Sequence, residues 1–244
     1  DVTSLRQHVQ NLTRRGLQEL ANRQFTAAAA TFTDILKLDP DDTGAMMSRG
    51  EAQLGLQHDG AALTDFESVL SFNPRHASAL GGRAKVLAHR GEHDAAIVEL
   101  SLALRLAVRS SEKADLHQER SDVWLAKRDF AAAAADREMA ARLEPQNAYR
   151  WNSIAWLLAT CPDDAVRDGE RAVKLALRAC NLSDYRTASY IDSLAAAYAE
   201  AGNFDTAAAF QKKATGMVSS ALRDDYSDRT KLYLNRQPFR EHSS

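Results

Sequence analysis

The chain has 244 residues, which on length alone fits one or two globular domains. Its 31 lysine and arginine residues nearly balance its 33 aspartate and glutamate residues, so no general attraction to nucleic acid or to an anionic membrane is expected. Membrane insertion is not predicted for this segment, because no apolar run is long enough to span a bilayer.

Small, bulky and helix-breaking residues recur along the chain at intervals of about 34 positions. In residues 43–76 the recurring residues are Gly50, Ala62, Phe66 and Pro74; in the preceding stretch they are Gly16, Ala28, Phe32 and Pro40. Glycine and alanine allow two helices to cross closely, and the bulky residue fills the space beside that crossing. Proline cannot continue a helix, so it separates one helix pair from the next.

This pattern resembles the tetratricopeptide repeat, an antiparallel pair of helices about 34 residues long. The resemblance implies an all-α fold in which residues 1–244 form one right-handed superhelix of about six helix pairs plus a C-terminal capping helix. Residues 1–8 are expected to lead into the first helix. The predicted repeats cover residues 9–42, 43–76, 77–110, 114–147, 148–184 and 188–221, and the predicted cap covers residues 223–235.

Three parts of the chain depart from the regular repeat. The third repeat has Val108 where proline is expected, which predicts that its second helix continues through Ser110. The fifth repeat has about five extra residues in the connection 161–169 between its helices. The cap is expected to turn Tyr226, Leu232 and residues 233–234 towards the stack.

The last third of the chain is also similar to a repeat variant of bacterial proteins, notably from planctomycetes. The similarity lies in residues 152–162 (NSIAWLLATCP), in Arg167-Asp168-Gly169 and in residues 190–202 (YIDSLAAAYAEAG). It implies a bacterial origin without a defined activity. The sequence begins at Asp1 rather than at methionine, which favours a processed product or an excised fragment, so localisation stays open between cytoplasm and periplasm.

The first helix of each tetratricopeptide repeat lines a concave groove, chiefly through its second, fifth, ninth, twelfth and thirteenth positions. The resemblance therefore implies binding residues at Leu17, Met47, Glu51, Leu54, Lys85, His89, Gln118, Asp122, Leu125, Tyr149, Asn152 and Trp156. The sixth repeat adds Asp192 and Glu200 to these positions. Apolar side chains mixed with isolated charges suit a peptide or a helix better than a phosphate group.

Trp156 is predicted to be the principal contact in this groove, with Tyr149 and Leu125 beside it. Large aromatic side chains dominate the energetics of many protein interfaces. The alternative is that the connection 161–169 buries Trp156, which would give this residue a structural role. For the groove leucines, packing against neighbouring helices is the alternative to ligand binding.

Residue patterns that can carry chemistry have structural explanations in this chain. His89 and His93 have the spacing of a helical metal pair, but Gly91 indicates a turn between them. The acidic cluster in the connection 161–169 fits helix-start and turn chemistry better than a cation site: Asp163, Asp164 and Asp168.

The two cysteines, Cys161 and Cys180, are not predicted to form a disulfide. They are separated by most of one helix, roughly 15 Å along its axis, whereas a disulfide needs α-carbons within about 7 Å. No histidine is close to Cys161 in sequence, so a catalytic thiol is not favoured either. No catalytic residue, cofactor or metal site is therefore predicted.

Three arginines stand immediately before the small marker residue of a first helix, and each is followed 16 positions later by an acid. The pairs are Arg49 with Asp65, Arg83 with Glu99, and Arg120 with Asp136. The fifth and sixth repeats lose both charges together, with Ile154 and Leu175, and with Leu194 and Phe210. This covariation predicts a partly buried ion pair within each charged repeat, bonded through the planar arginine fork.

The sequence favours a non-enzymatic scaffold that binds a peptide or a partner protein in its groove, without a cofactor and without nucleic acid. Two alternatives stay open: a structural module that self-assembles into a homo-oligomer, and the interaction portion of a larger enzyme or membrane protein. Exposed apolar residues in positions 1–10 or on the cap favour self-assembly.

Overall fold

The computed structural model describes residues 2–241; Asp1 of the predicted lead-in and residues 242–244 of the predicted solenoid lie outside the described residues. Within this range the chain forms thirteen α-helices and no β-strand, which confirms the expected all-α helical repeat fold. Two compact units are present, residues 1–112 (unit 1) and residues 113–244 (unit 2).

Unit 1 consists of three consecutive helix pairs. Each helix packs against the next one, and the first helices of neighbouring pairs also contact one another. The helices are α1 (Val2–Ala21), α2 (Phe25–Leu38), α3 (Thr43–Gly55), α4 (Asp59–Phe72), α5 (Ala77–His89) and α6 (His93–Leu106). Asp42 caps α3 by accepting a 2.9 Å hydrogen bond from the Ala45 amide, which satisfies one of the free amides of the first turn.

Phe66 joins two helix pairs of unit 1. Its side chain is fully buried, and its ring lies against the backbone of Gly50 on α3 and of Gly82 on α5. A β-carbon at Gly50 would lie 2.7 Å from the ring, and one at Gly82 would lie 2.5 Å from it. The sequence pattern predicted that Phe66 fills the space beside the helix crossing at Gly50 and Ala62; the structure shows that Gly82 of the next repeat contacts the same ring.

Two helix boundaries in unit 1 differ from the prediction. Helix α1 begins at Val2, so residues predicted as a lead-in belong to the helix. Helix α6 ends at Leu106 instead of continuing through Ser110, because Ala107 is extended (φ −61°, ψ 138°) and breaks the helix without a proline. Ser110 instead begins α7 (Ser110–Ala126), with Glu112 in its first turn, where an acid favours a helix start.

Unit 2 contains the remainder of α7 and six further helices. These are α8 (Phe130–Leu143), α9 (Ala148–Thr160), α10 (Gly169–Leu182), α11 (Ala188–Glu200), α12 (Phe204–Thr215) and α13 (Ser220–Leu234). A large apolar core joins α9 to α13, and the bulkiest of its buried members include Trp151, Ile154, Leu194 and Tyr233. First helices α9 and α11 contact each other directly, so they share one surface of the unit.

Helix α13 covers the end of unit 2, as predicted for the cap. Tyr226 and Tyr233 are buried against the core, and Leu232 packs beside them. The prediction was wrong for Leu234, whose side chain is 59% exposed. Leu234 is turned by about 200° from Leu232 around the helix, so the two side chains cannot both face the core.

The structure confirms the predicted arginine–acid pairs. Arg49 bonds both oxygens of Asp65, at 2.9 and 2.6 Å, and Arg120 bonds both oxygens of Asp136, at 2.8 and 2.7 Å. A single bond of 2.6 Å joins Arg83 to Glu99. The carboxylates of Asp65 and Asp136 are buried, so these pairs hold the two helices of one repeat together.

The first repeat links its two helices through a different acid, Glu19, which lies on the first helix instead of the second. Arg15 bonds Glu19 at 2.8 Å on its own helix, and Thr31 donates a 2.7 Å hydrogen bond to the other Glu19 oxygen. Burial raises the pKa of Glu19, but the hydrogen bonds from Thr31 and Arg15 together lower it by more than burial raises it. The net pKa of Glu19 is therefore below its ordinary value.

Candidate functional site

The predicted groove residues of unit 1 do not converge on one cluster of functional groups. Met47 and Leu54 are half-buried and pack against Ala62, Phe66 and Val86. The side chain of Leu17 is 50% exposed, Glu51 is exposed and Lys85 is half-buried. His89 is exposed, and its Nδ1 atom lies 3.0 Å from Asp59 at the start of α4. For Met47 and Leu54, this arrangement matches the packing alternative.

Three predicted residues on α7 of unit 2 are engaged within the fold. Gln118 is buried, donates a 3.2 Å hydrogen bond to Asp122 and accepts a hydrogen bond from Ser153 on α9. The side chain of Asp122 is exposed and lies 3.5 Å from Arg137. Leu125 packs on a core formed by Ala133, Leu157 and Cys161. These contacts connect α7 with α8 and α9.

The remaining predicted residues lie on α9. Tyr149 is exposed, with the guanidinium of Arg150 5.8 Å from its ring centre. Asn152 and Trp156 are half-buried and stand one helical turn apart on the same side of the helix. The Oδ1 atom of Asn152 is buried and accepts no hydrogen bond from the described part of the chain.

Trp156 belongs to a polar and aromatic surface, which we call the α9–α11 face. This face is formed by Asn152, Trp156, Asp192, Glu200 and Arg229, from helices α9, α11 and α13. Arg229 bonds both carboxylate oxygens of Asp192, at 2.8 and 3.0 Å, and its guanidinium lies 6.0 Å from the Trp156 ring centre. Helix α13 therefore contributes a side chain to this face as well as packing at the end of the unit.

The chain's own C-terminal segment, residues 237–241, crosses the α9–α11 face. After α13 the backbone turns at Arg236 (φ 55°), and the Gln237 amide bonds the Leu232 carbonyl at 2.9 Å. The Phe239 ring lies 5.7 Å from that of Trp156, centre to centre, and Trp156 Nε1 donates a 2.6 Å hydrogen bond to Glu241. Trp156 is thus contacted by this segment through both its ring and its indole N–H.

Backbone and charge contacts hold the same segment in place. The Glu241 amide donates a 2.9 Å hydrogen bond to the Thr160 carbonyl at the end of α9. Arg240 forms an ion pair with Glu200, and Glu200 also accepts a 3.1 Å hydrogen bond from Arg167 in the connection 161–169. One carboxylate therefore binds two arginines from two different loops.

Asp192 lies in the most desolvated part of the α9–α11 face. Burial raises its pKa, while the charge of Arg229 and a 2.7 Å hydrogen bond from Gln211 act in the opposite direction. The net pKa is above the ordinary value of an aspartate. Burial also raises the pKa of Tyr226, whose ring lies 4.7 Å from the Arg229 guanidinium.

Sequence reasoning identified Asn152, Trp156, Asp192 and Glu200 as groove positions, but it missed Arg229 and the segment 237–241. Arg229 was counted as part of a polar-faced cap. The signal that could have found the segment is Pro238-Phe239, an aromatic residue that follows the cap beyond the last repeat. A periodic pattern does not predict where an aperiodic segment folds.

Two aspartates of the acidic cluster have structural roles, and both cysteines are buried. Asp163 accepts a hydrogen bond from the Ala165 amide, and Asp168 caps α10 by accepting one from the Arg171 amide, which confirms the turn and helix-start interpretation. Cys161 and Cys180 are free and buried. Burial raises the pKa of Cys180 to about 11.

Neither a metal-binding cluster nor a membrane-spanning helix is present within residues 2–241. No group of three or more histidine, cysteine, aspartate or glutamate residues in this range is placed to hold a metal ion. None of the helices described for this range combines the length and the apolar character that a bilayer crossing requires.

Sequence comparison relates the first half of the chain to a known repeat family. The tetratricopeptide repeat family profile matches residues 13–66 and 60–114. A segment of 104 residues is 36% identical to a tetratricopeptide repeat and J domain-containing co-chaperone of Cryptococcus neoformans. This segment is 43% of the present chain and 19% of the length of the co-chaperone.

Solved structures resemble most of the chain in fold. PilW, a widely conserved type IV pilus biogenesis factor, has a TM-score of 0.72 and 16% identity, over 90% of this chain and 98% of PilW. Yeast Tom70 has a TM-score of 0.67 and 18% identity, over 86% of this chain and 44% of Tom70. YrrB, described as a TPR protein with an unusual peptide-binding site, has a TM-score of 0.59 and 16% identity, over 83% of this chain and all of YrrB. Residues 13–114 therefore match tetratricopeptide repeats by sequence, and most of the chain shares its helical repeat fold with these solved structures.

Proposed function

We propose that the chain is a non-enzymatic protein–protein interaction module that binds an extended peptide on the α9–α11 face. The family match and the co-chaperone relative support an interaction module. The observation that carries the choice of site is the segment 237–241, which crosses this face outside any helix. A surface that accepts one peptide segment has the shape and the hydrogen-bonding groups to accept another.

The chemistry of the α9–α11 face supports this proposal. Trp156 offers an aromatic ring with a polar N–H edge, which is the combination enriched in interface contacts. Glu200 offers a carboxylate for a basic side chain, and the Thr160 carbonyl accepts a backbone amide. The buried Oδ1 atom of Asn152 is a further acceptor beside Trp156. Together these groups bind a backbone and select side chains.

The proposal is tested with a variant of the 244-residue chain in which Phe239→Ser and Arg240→Ser release the segment; we call it the released variant. Peptides are selected against it from a phage-displayed library, and their binding is measured again after adding Trp156→Ala or Trp156→Phe. We expect Trp156→Ala to lose binding and Trp156→Phe to keep part of it. The absence of any selected peptide, or equal binding by a folded Trp156→Ala protein, would contradict the proposal.

Self-assembly is a second candidate function, and exposed apolar side chains at both ends of the chain favour it. Leu5 is 49% exposed on α1, and Leu222 and Leu234 are 50% and 59% exposed on α13. Light scattering after size exclusion measures the oligomeric state. Serine at Leu222 and Leu234 should shift an oligomer to the monomer if α13 forms the contact; a monomeric wild-type chain would remove this candidate.

A further inference from the structure

Three consecutive residues, Phe239, Arg240 and Glu241, are each matched by a group on the α9–α11 face. Pro238 before them restricts its own φ to about −65°; the Phe239 ring lies against Trp156 and 5.4 Å from the Arg229 guanidinium. Arg240 binds Glu200, and the Glu241 carboxylate accepts the indole N–H of Trp156. This order of an aromatic, a basic and an acidic residue uses three different recognition modes on adjacent positions.

The segment nevertheless buries little of its surface. No residue in positions 237–241 is fully buried: Gln237 and Glu241 are exposed and the three residues between them are half-buried. By contrast, Asp192 of the face and Tyr233 of the core next to it are buried. Segments with little buried apolar surface open at low free energy relative to the core. The contacts therefore suit a segment that leaves the face while the helices stay folded.

We propose that residues 238–241 are an intramolecular competitor for the α9–α11 face, and that the partner peptide carries an aromatic residue followed directly by a basic one. This proposal rests on the proposed function, and it adds both the chemistry of the ligand and the control of its access. A partner peptide must displace Phe239 from Trp156 and Arg240 from Glu200.

The covalent link between the segment and α13 sets how strongly the segment competes with an added peptide. A segment joined directly to α13 acts at an effective concentration on the order of a millimolar. If it binds the face with a Kd of about 0.1 mM, about nine-tenths of the molecules are closed, and an added peptide binds about tenfold more weakly. Phe239 and Arg240 supply the side-chain contacts that set this Kd.

The experiment uses the 244-residue chain and a fluorescein-labelled peptide with the sequence Gln-Pro-Phe-Arg-Glu, copied from residues 237–241. Fluorescence anisotropy gives its Kd for the wild-type chain, for the released variant and for Arg223→Ser. Arg223 is an exposed arginine near the start of α13 and lies outside the segment and its turn, so it controls for the loss of one positive charge. We expect about tenfold tighter binding to the released variant, and no change for Arg223→Ser.

Two altered peptides test the ligand chemistry on the released variant. Replacing phenylalanine by alanine, or arginine by glutamate, should weaken binding by at least about tenfold. Equal Kd values for the wild-type chain and the released variant, or equal binding of the altered peptides, would overturn this inference and leave the proposed function standing. If the folded released variant binds neither this peptide nor any library peptide, the proposed function itself fails. Circular dichroism confirms that the released variant keeps its helices.

Discussion

Replacing the two members of the Arg49–Asp65 pair separately should destabilise unit 1 unequally. In Arg49→Leu, the Asp65 carboxylate loses its cation although its side chain is only 5% exposed. Removing one partner of a buried pair typically costs 3–5 kcal/mol, and we expect about 3 kcal/mol here. In Asp65→Leu, the remaining guanidinium is 27% exposed and keeps part of its hydration, so we expect about 2 kcal/mol.

The double variant Arg49→Leu with Asp65→Leu should be more stable than either single variant. It copies the apolar pairs that the fifth and sixth repeats already carry, such as Ile154 with Leu175. Because the double variant leaves no uncompensated charge, we expect its free energy of unfolding to fall by about 1 kcal/mol or less.

Urea unfolding followed by circular dichroism gives the free energies, provided that the slope with urea concentration is unchanged. Lys37→Leu is the matched control, because its partner Asp34 is exposed, and it should leave the unfolding midpoint nearly unchanged. Two results would refute the reasoning: a double variant as unstable as Arg49→Leu, or a larger loss for Asp65→Leu than for Arg49→Leu.

Three further predictions concern packing, pH and thiol reactivity. Gly82→Ala should lower stability by about 1–3 kcal/mol, because its β-carbon would overlap the trapped Phe66 ring; Gly60→Ala, which meets no neighbour, should raise the melting temperature in the same thermal scan. Burial raises the pKa of Asp136, but bonds from Arg120 and His117 bring it below the ordinary 3.8. The ionised Asp136 carboxylate therefore stabilises the fold fully above pH 3.8, and this stabilisation is lost as the pH falls through its lower pKa in the folded state. The difference in urea midpoint between wild type and Asp136→Asn should therefore shrink on acidification. Cys180, with a pKa of about 11, should react with a thiol reagent at pH 8 only after unfolding; rapid labelling of the native chain would contradict its burial.

The sequence predicted the helix pairs well because their determinants are local and periodic. A small residue, a bulky residue and a breaker at fixed spacing encode each crossing, and arginine with an acid 16 positions later encodes each ion pair. The end of α6 was predicted wrongly because an extended Ala107 breaks the helix as effectively as the missing proline. The planctomycete-type resemblance, the single solenoid and its handedness stay predictions.

The candidate site was predictable only in part. Groove positions on first helices gave Asn152 and Trp156, since their placement follows from the repeat. The contributions of Arg229 and residues 237–241 depend on how the chain turns after α13, where the backbone reverses at Arg236. Such a reversal is a tertiary property, because the contacts between Phe239 and Trp156 join positions far apart in the sequence. Repeat periodicity carries no information about it.

The position of Phe66 between Gly50 and Gly82 has a consequence for how unit 1 opens. Because one ring packs on two successive pairs, separating α5 from the stack exposes a side chain that also fills the crossing of α3 and α4. In a stack of helix pairs, a side chain shared by two pairs increases the interface energy between those neighbours relative to the intrinsic stability of each pair. Amide hydrogens of α3, α4 and α5 should therefore exchange with solvent as one cooperative group, and Gly82→Ala should divide that group in two.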